Sequence, residues 1–284
     1  MSAAKRLASV LVCVLGLVEP ASRALAACGT RYVKPSGSDT ANDCTNPAAP
    51  CATIDHAVDS ACAGDTVLVG TGTYDEQVSI TTGDLTVTGS AGGAFVKPST
   101  AVTDASQGSP CSGGVGTAII LVAGVTGVTL NNLNVDGSLL AAAGAPPRFV
   151  GIYYRNASGA INGGTVKDIR NDPLNGVQIG LGILAQANGA NTADVDVTGV
   201  SVTGYQKNGI TFNGCGCALA PDGTATGSIT GCTVAGAGDT DQIAQNGIQV
   251  GFGAGPVTIS DNDVGGNGYT GDPDNGTESG ILLL

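Results

Sequence analysis

The chain has 284 residues and a formal net charge of −12, and only 12% of its residues are charged and 4% aromatic, with no tryptophan. It is too apolar for a disordered protein, and its acidic balance excludes nucleic acid and anionic membranes as partners. Its 46 glycines and its small aliphatic residues favour a core of stacked Ala, Val, Ile and Leu side chains over one built on aromatic rings.

Residues 1–26 have the features of a secretory signal peptide. Lys5 and Arg6 precede the apolar run LASVLVCVLGLV, and Ala24 and Ala26 are the small residues that a signal peptidase requires before the cleaved bond. The apolar run is short for a transmembrane helix, so we expect no membrane-spanning segment. We therefore predict cleavage after Ala26 and a secreted or cell-surface protein.

The run LAAC at residues 25–28 offers an alternative, because it resembles the lipid-attachment box of bacterial lipoproteins. Glu19 and Arg23 separate this run from the apolar segment, which favours simple cleavage. Removal of the signal takes away three basic residues and one acidic residue, which changes the formal charge from −12 to −14. Such a surface repels an anionic polysaccharide unless divalent cations bridge the two.

Cysteine usage also indicates export. Cys13 leaves with the signal, and the even number that remains predicts disulfides in an oxidising compartment. Sequence does not fix the pairing, but we expect four of the cysteines to lie together around the predicted helix: Cys28, Cys44, Cys51 and Cys62. The alternative of a metal site at Cys215, Cys217 and Cys232 lacks a fourth ligand nearby.

One short helix precedes the first strands. The segment TIDHAVDSA (53–61) has apolar residues at the spacing of one helix face, with Ile54 and Val58 facing the rest of the protein. Asp55, His56 and Asp59 are then predicted to face solvent. The segments TVLV and QVSI that follow are β-branched and are separated by glycines, which is typical of short strands.

From residue 128 onward the sequence repeats with a period of 30 to 36 residues, as in solenoid proteins. Position one of a six-residue unit is aliphatic and position six is always valine. Position three is Asn, Gly or Asp, the residues that tolerate the left-handed backbone conformation, so it predicts a corner between two strands. Positions one, four and six then point inward. The units are LNNLNV (130–135), INGGTV (161–166), VTGVSV (197–202), ITGCTV (229–234) and ISDNDV (259–264).

A second set of segments alternates with the first and predicts a third strand in each repeat. It comprises GIYY (151–154), GVQI (176–179), GITF (209–212), GIQV (247–250) and GILL (280–283). Parallel strands that hydrogen-bond to their equivalents one turn away satisfy both patterns. The fold class that we predict is all-β, a parallel β-helix. The helix at 53–61 would cover the open first coil, whose strand edges would otherwise be exposed.

Three parts of the sequence resemble exported right-handed β-helix proteins of the pectin-lyase-like superfamily: YVKPSGSD (32–39), PCATIDHAVDSACAGDTVLVGTGTY (50–74) and the later NGI-type coils. The resemblance covers nearly the whole mature chain and implies the right-handed sense of the solenoid. The superfamily includes pectate lyases, polygalacturonases and pectin methylesterases, but also adhesins and surface proteins without known catalysis. Fold alone therefore does not settle function.

Enzymes of this superfamily place carboxylates and basic residues on outward positions of one sheet and in adjoining loops. The predicted outward positions are instead neutral and polar, so we expect a non-catalytic protein. If the protein is a lyase, the best candidates are in the segment KDIRND, which combines carboxylates for calcium with a basic residue: Lys167, Asp168, Arg170 and Asp172. His56, the single histidine, lies on the predicted helix and is expected to be solvated.

A calcium ion is the one cofactor that the sequence suggests. The segment DPDNGTE (272–278) places three carboxylates at spacings similar to a calcium loop, although the ligand series is incomplete: Asp272, Asp274 and Glu278. A plain turn is the alternative.

These features predict a signal peptide at 1–26, an N-terminal cap with a helix and the first strands at 27–75, and β-helix coils at 76–284. The segment SGILLL begins a new coil, so we expect a partner or further coils at that end. The predicted function is surface display, adhesion or contact with a polysaccharide or cell-surface glycan. The alternative is a calcium-dependent pectate-type lyase.

Overall fold

The computed structural model describes residues 28–100, 117–144, 149–178, 180–214, 223–272 and 278–284. Its strands form three parallel sheets, one of eight strands and two of seven. From β2 onward the chain passes through sheet 1, sheet 2 and sheet 3 in turn and then begins the next coil. Each strand hydrogen-bonds to its equivalent one coil away, which is the architecture of a parallel β-helix.

The strands of each sheet are as follows. Sheet 1 contains β1 (Thr30–Val33), β2 (Thr66–Val69), β5 (Thr86–Gly89), β8 (Val128–Asn131), β11 (Gly159–Asn162), β14 (Thr192–Thr198), β17 (Thr224–Thr230) and β20 (Val257–Ser260). Sheet 2 contains β3 (Gly72–Tyr74), β6 (Ala94–Val96), β9 (Leu133–Asp136), β12 (Thr165–Lys167), β15 (Ser201–Thr203), β18 (Thr233–Ala235) and β21 (Asp263–Gly265). Sheet 3 contains β4 (Val78–Ile80), β7 (Thr117–Ala123), β10 (Phe149–Arg155), β13 (Leu181–Gln186), β16 (Asn208–Asn213), β19 (Asn246–Gly251) and β22 (Ser279–Leu283).

The predicted corners between sheets 1 and 2 are confirmed. All five residues at position three have left-handed backbone conformations, and the residue before each corner pairs with its equivalent in an adjacent coil. Because the corner amides of the first four coils donate to carbonyl groups of the next coil, the bend leaves those N–H groups satisfied. The φ angles are 51° for Asn132, 63° for Gly163, 64° for Gly199, 63° for Gly231 and 57° for Asp261.

The corner can be tested at Gly231, where a Cβ atom would meet no atom within 4 Å. Replacement by valine adds only the strain of a β-branched residue at positive φ, so we expect Gly231→Val to cost about 1–2 kcal/mol of unfolding free energy. Gly231→Asn should cost clearly less, because asparagine tolerates this conformation. Urea denaturation of both variants measures the difference, and equal stability of the two would contradict the assigned corner.

Small aliphatic residues fill the interior, as predicted from positions one and six. The side chains of four successive coils are buried at both positions: Leu130, Ile161, Val197 and Ile229 at position one, and Val135, Val166, Val202 and Val234 at position six. In the last coil Ile259 and Val264 are only partly buried and pack against the edge of the same core. The interior is therefore one continuous column of stacked rows.

A row of glycines explains the recurring Gly–Ile pair of the third strand. At each of these glycines a Cβ atom would overlap the Cγ1 atom of an inward valine from the sheet 2 strand of the next coil, so only glycine fits. The isoleucine that follows then enters the core, in rows such as Ile152, Ile183, Ile210 and Ile248. The pairs are Gly151 with Val166, Gly182 with Val202, Gly209 with Val234, and Gly247 with Val264.

One predicted segment of the second set was wrong. The third strand of its coil is β13, in which Ile183 pairs with Ile152 and Ile210, and not GVQI at 176–179. Two glycine-led apolar segments follow each other here, and local periodicity cannot distinguish them. The packing decides between them. Gly182 lies against Val202 and Ile183 is fully buried, whereas Val177 lies in the preceding loop with 51% of its surface exposed.

The N-terminal helix α1 (Ile54–Asp59) packs against β1, β2 and β4, with Ile54, Ala57 and Val58 buried. It is shorter than the predicted segment. The Glu76 carboxylate accepts the amides of Ile54 and Asp55, each at 2.8 Å, at the start of the helix. Whether α1 covers the whole open coil stays a prediction. A second helix, α2 (Ser138–Gly144), was not predicted.

Two of the predicted exposed positions on α1 are in contact with the protein. Asp55 is partly buried and accepts the backbone N–H of Ser79, which ties the helix to β4. His56 is also partly buried, and its Nε2 atom lies 2.7 Å from the carbonyl oxygen of Asn42. Asp59 is exposed, as predicted. The helix is therefore fastened by polar contacts on a face that the pattern assigned to solvent.

The four N-terminal cysteines lie together around this helix, as predicted. They form the disulfides Cys28–Cys62 and Cys44–Cys51. Cys232 is buried and has no disulfide in the described part of the chain. The predicted signal peptide, Cys111, Cys215 and Cys217 lie outside the described residues, and so does the metal site considered at the latter two.

Beside the disulfides, the Arg31 side chain is completely buried. Its Nε and Nη2 atoms donate to Asp65 Oδ2 at 3.0 and 2.8 Å, and Nη1 donates to the Asp43 carbonyl at 2.7 Å. The Asp65 carboxylate also accepts the amides of Gly29 and Cys62. This buried ion pair joins β1 to the loop after α1.

Candidate functional site

The predicted catalytic segment begins at the end of β12, and three of its four candidates form a charged cluster. Lys167 Nζ lies 3.8 Å from Asp168 Oδ2, and Arg170 Nε lies 4.0 Å from Asp168 Oδ1. Asp168 adopts a left-handed conformation with φ of 57°, which turns the chain out of the sheet. Asp172 is exposed and forms no ion pair with the described basic residues. The structure therefore separates Asp172 from the other three.

The centre of the cluster is Asp136, which sequence analysis missed. It pairs with Lys167 in the sheet register, and its Oδ2 atom lies 3.1 Å from Lys97 Nζ and 3.1 Å from Lys167 Nζ. The three residues come from successive coils, about 30 to 40 positions apart in the sequence. Only the strand register of sheet 2 brings these three residues together, so no local sequence motif predicts the cluster.

The shifted pKa values of Asp136 and Lys167 indicate that this cluster is a structural ion-pair network. Burial alone would raise the pKa of Asp136, but hydrogen bonds from Ser138, Lys167 and Lys97 lower it to about 2. The Asp136 hydrogen bond raises the pKa of Lys167. Lys167 is therefore held in its charged form and is a poor general base, because a base must first release its proton.

The network predicts an acid-sensitive contribution to stability. The folded-state pKa of Asp136 lies below its ordinary value of 3.8, so this carboxylate stabilises the fold above about pH 4 and loses its effect as the pH falls toward 2. We expect Asp136→Asn to remove that part of the pH dependence. Thermal unfolding of both proteins between pH 6 and pH 2 measures it, and parallel curves would contradict the assignment.

Arg170 retains one unused donor. Its Nε atom is buried and has no hydrogen-bond partner in the described structure. The rest of the side chain is about one-third exposed. A guanidinium group in this state can bind a carboxylate. Among the three candidates in the cluster, Arg170 is thus the one with a buried side-chain donor that makes no hydrogen bond to a described residue.

The calcium candidates receive no support from the geometry. Asp272 and Glu278 are both exposed, and Asp274 lies outside the described residues. Among the described residues, the two groups close enough to share a metal are Cys44, Cys51 and His56, and Cys28, Cys62 and Asp65. Their sulfur atoms are joined in cystines and offer no thiolate. Calcium binding at 272–278 stays a prediction.

The outward faces of sheets 1 and 2 are neutral and polar in most coils, as predicted. In sheet 1, Asn162 Nδ2 donates to Asn131 Oδ1 at 3.0 Å, and Thr230 Oγ1 lies 3.3 Å from Ser260 Oγ. Asp194 and Asp196 are exposed exceptions, which accept hydrogen bonds from Thr226 and Ser228 of the next coil. These contacts run along the axis of the solenoid from coil to coil.

The outward face of sheet 3 differs from the prediction. In the second set of segments, the alternation predicts that the residue after the inward aliphatic one points outward into solvent. Three of these residues, Tyr153, Thr211 and Gln249, are instead buried, and a fourth, Gln178, lies outside the sheet. Towards the N-terminal coils this face is apolar, with a cluster formed by Ala118, Leu121, Val150, Tyr153 and Leu184. The alternation of residues along a strand predicts which way a side chain points, but not whether another part of the chain covers it. The burial of this outward face therefore could not be predicted from the sequence pattern.

The later coils of the same face carry an amide network. Asn208 Nδ2 donates to Thr211 Oγ1 at 3.1 Å and to Gln249 Oε1 at 3.0 Å. Asn246 Nδ2 donates to Asn208 Oδ1 at 3.1 Å, while the Oδ1 atom of Asn246 is buried and accepts no hydrogen bond from any described residue. Next to this network, Lys207 Nζ donates to the Ala244 carbonyl at 2.7 Å, and burial lowers the pKa of Lys207.

A pocket of about 300 Å³ lies on sheet 1 near the N-terminal coils. Its floor is formed by the outward side chains of Tyr32 and Leu68, and Thr88 follows them in the strand register. Leu68 is 39% exposed, and Lys34 stands at the edge without an ion pair to any described carboxylate. No local sequence pattern marks this surface, because its residues lie on three different coils.

No family profile matches the sequence, and no curated protein matches it either. Among solved structures, one that matches is a pectin methylesterase mutant in complex with a hexasaccharide, at 14% identity and a TM-score of 0.37. The match covers 80% of this chain and 66% of that one, so this chain spans slightly less than two thirds of the length of that structure.

The described helices are all too short or too polar to cross a bilayer. The three sheets, their register and the aligned corners define the architecture without reference to any relative. Connections between adjacent parallel strands of one sheet are right-handed in nearly all proteins. The chain is a right-handed parallel β-helix.

Proposed function

We propose that this protein is exported and contacts a polysaccharide or cell-surface glycan without cleaving it. The observation that carries this proposal is the pairing of Lys167, the predicted catalytic lysine, with carboxylates. Lys167 is shared between Asp136 and Asp168, and Lys97 is bound to Asp136, so neither lysine of the cluster is a free base. The outward rows of sheet 1 offer hydroxyl and amide groups in successive coils, and such groups suit hydrogen bonding to sugars.

Export is supported by the disulfides around α1, which persist in oxidising compartments. The sulfur of Cys28 is bonded to Cys62 and is therefore not free to carry a lipid. This favours secretion or cell-surface display after cleavage over the lipoprotein alternative. The signal peptide at 1–26 remains part of the proposal.

The proposal is tested by incubating the mature protein with polygalacturonate and calcium and following the absorbance of unsaturated sugar products. We expect no product. Pull-down with insoluble glucan, xylan, mannan and galacturonan should show retention on at least one polymer. Formation of unsaturated product would overturn the non-catalytic assignment. Retention on none of the four polymers would overturn polysaccharide contact.

A calcium-dependent lyase is the second candidate, and the spare Nε donor of Arg170 is the observation that favours it. If the assay detects turnover, Arg170→Ala should abolish it while leaving the circular dichroism spectrum unchanged. Asp59→Ala is the control, because Asp59 is an exposed charged residue on α1 that belongs neither to the cluster nor to the pocket on sheet 1. Turnover retained by Arg170→Ala would exclude this site.

A further inference from the structure

Sheet 1 carries one outward row that changes character along the solenoid. The strand register aligns its members from the first coil to the last, starting with an aromatic and an aliphatic residue and continuing with hydroxyl and amide groups. The row is Tyr32, Leu68, Thr88, Asn131, Asn162, Thr198, Thr230 and Ser260. Its apolar end coincides with the pocket of about 300 Å³.

The pocket combines an apolar floor with a polar rim. Tyr32 and Leu68 form the floor, and neither is covered completely, since Leu68 is 39% exposed and Tyr32 is partly exposed. At the rim, Thr88 and Ser90 supply hydroxyl groups, and Ser90 Oγ lies 2.8 Å from Thr71 Oγ1. Its volume lies at the lower end of the range for small-molecule sites.

This arrangement matches the two sides of a pyranose ring. The C–H face of a sugar is apolar and stacks on aromatic and aliphatic side chains, while its equatorial hydroxyl groups project towards the rim. Lys34 is the one charged residue of the lining, and its ammonium group can donate to a hydroxyl oxygen. The strongly acidic chain, with a formal charge of −12, disfavours a polyanionic ligand.

The row beyond the pocket can receive the following sugar units. Asn131 Nδ2 lies 3.4 Å from Thr88 Oγ1, and Asn162 Nδ2 donates to Asn131 Oδ1 at 3.0 Å. Both asparagines are partly exposed, and each amide nitrogen has a second hydrogen to donate. Coils are spaced about 4.8 Å apart. This spacing is close to the length of one unit in an extended β-linked polysaccharide.

We propose that a neutral polysaccharide binds along this row, with one pyranose ring stacked on Tyr32 and Leu68 and the next units over Thr88, Asn131 and Asn162. The inference rests on the proposed polysaccharide contact and adds the face and the class of ligand. The polymer runs parallel to the solenoid axis, and Asp194 and Asp196 on the same sheet exclude anionic chains from the later coils.

Calorimetric titration with hexasaccharides of β-1,4-glucan, β-1,4-xylan, β-1,4-mannan and α-1,4-galacturonan tests the proposal. The wild-type protein should bind at least one neutral hexasaccharide. Tyr32→Ala should weaken binding by tenfold or more, and Leu68→Ser by several-fold. Phe95→Ser is the matched control, because Phe95 is 37% exposed on the outward face of sheet 2, away from the pocket, and it should bind as the wild type does.

The outcomes separate the two proposals. Binding of a neutral hexasaccharide that both pocket variants retain would overturn this site and leave polysaccharide contact intact. If the galacturonan hexasaccharide binds more tightly than the neutral ones, the ligand is not a neutral polysaccharide, but the assignment of the binding face stands. If no hexasaccharide and no insoluble polymer binds the wild-type protein, both proposals fail. Circular dichroism of each variant confirms that a loss of binding is not a loss of folding.

Discussion

Replacing Arg31 by methionine is expected to lower the free energy of unfolding by about 3–5 kcal/mol, because it leaves the buried carboxylate of Asp65 without its cation. Arg31 is fully buried and Asp65 is 2% exposed, so water cannot replace the lost partner. The Asp43 carbonyl would also lose its donor, the Nη1 atom of Arg31. Urea denaturation gives the global change, and hydrogen exchange of the β1 and β2 amides shows where the structure opens.

Two further variants make this prediction specific. Lys34→Met removes a nearby exposed cation and should change stability by less than about 0.5 kcal/mol. The double variant Arg31→Met with Asp65→Leu removes both charges and should recover part of the lost stability, because no buried charge is left unpaired. Recovery is incomplete, since the amides of Gly29 and Cys62 lose the Asp65 carboxylate as their acceptor. A single variant as stable as the wild type would show that the pair does not hold the N-terminal coil.

The second large effect is expected at Gly209. A Cβ atom there would overlap Val234 Cγ1 and approach the carbonyl oxygen of Gly247 at 2.6 Å, so the core and the neighbouring strand would both have to move. Overpacking of this kind costs about 1–3 kcal/mol, and Gly209→Ala should reach the upper part of that range. Thermal and urea denaturation measure the loss.

Gly265→Ala is the matched control for Gly209→Ala. Gly265 is also a strand glycine, but it lies in β21, where an added Cβ would meet no atom within 4 Å and φ is not positive. We expect no loss of stability there, and a small gain is consistent with the lower chain entropy of alanine in the unfolded state. Equal losses of stability at the two positions would show that packing against valine is not the reason why glycine is required in this row.

The sequence was sufficient to predict the coils and their corners. Asn132, Gly163, Gly199, Gly231 and Asp261 differ in side chain but share a backbone requirement, and that requirement recurs with the repeat. Periodicity and corner chemistry are both local, so they can be recognised without knowing which strands pair. The grouping of the four N-terminal cysteines followed from their closeness in the sequence.

The charged cluster and the pocket could not be found in this way. Asp136 meets Lys97 and Lys167, and Tyr32 meets Leu68 and Thr88, only through the sheet register, across irregular insertions between coils. The error at GVQI has the same origin, because the choice between two equivalent local segments depends on the contact of Gly182 with Val202. Contacts between residues on different coils depend on strand register, which single-segment patterns do not contain.

The measurement that tests the parallel stacking most directly is cross-linking of cysteine pairs between adjacent coils. In the parallel register Asp196 lies opposite Ser228, whereas Thr230 is displaced by two residues, beyond the reach of a disulfide. We expect Asp196→Cys with Ser228→Cys to form a disulfide on mild oxidation, as detected by mass spectrometry of the digested protein. Preferential cross-linking of Asp196→Cys with Thr230→Cys would indicate antiparallel or shifted strands and would contradict the β-helix.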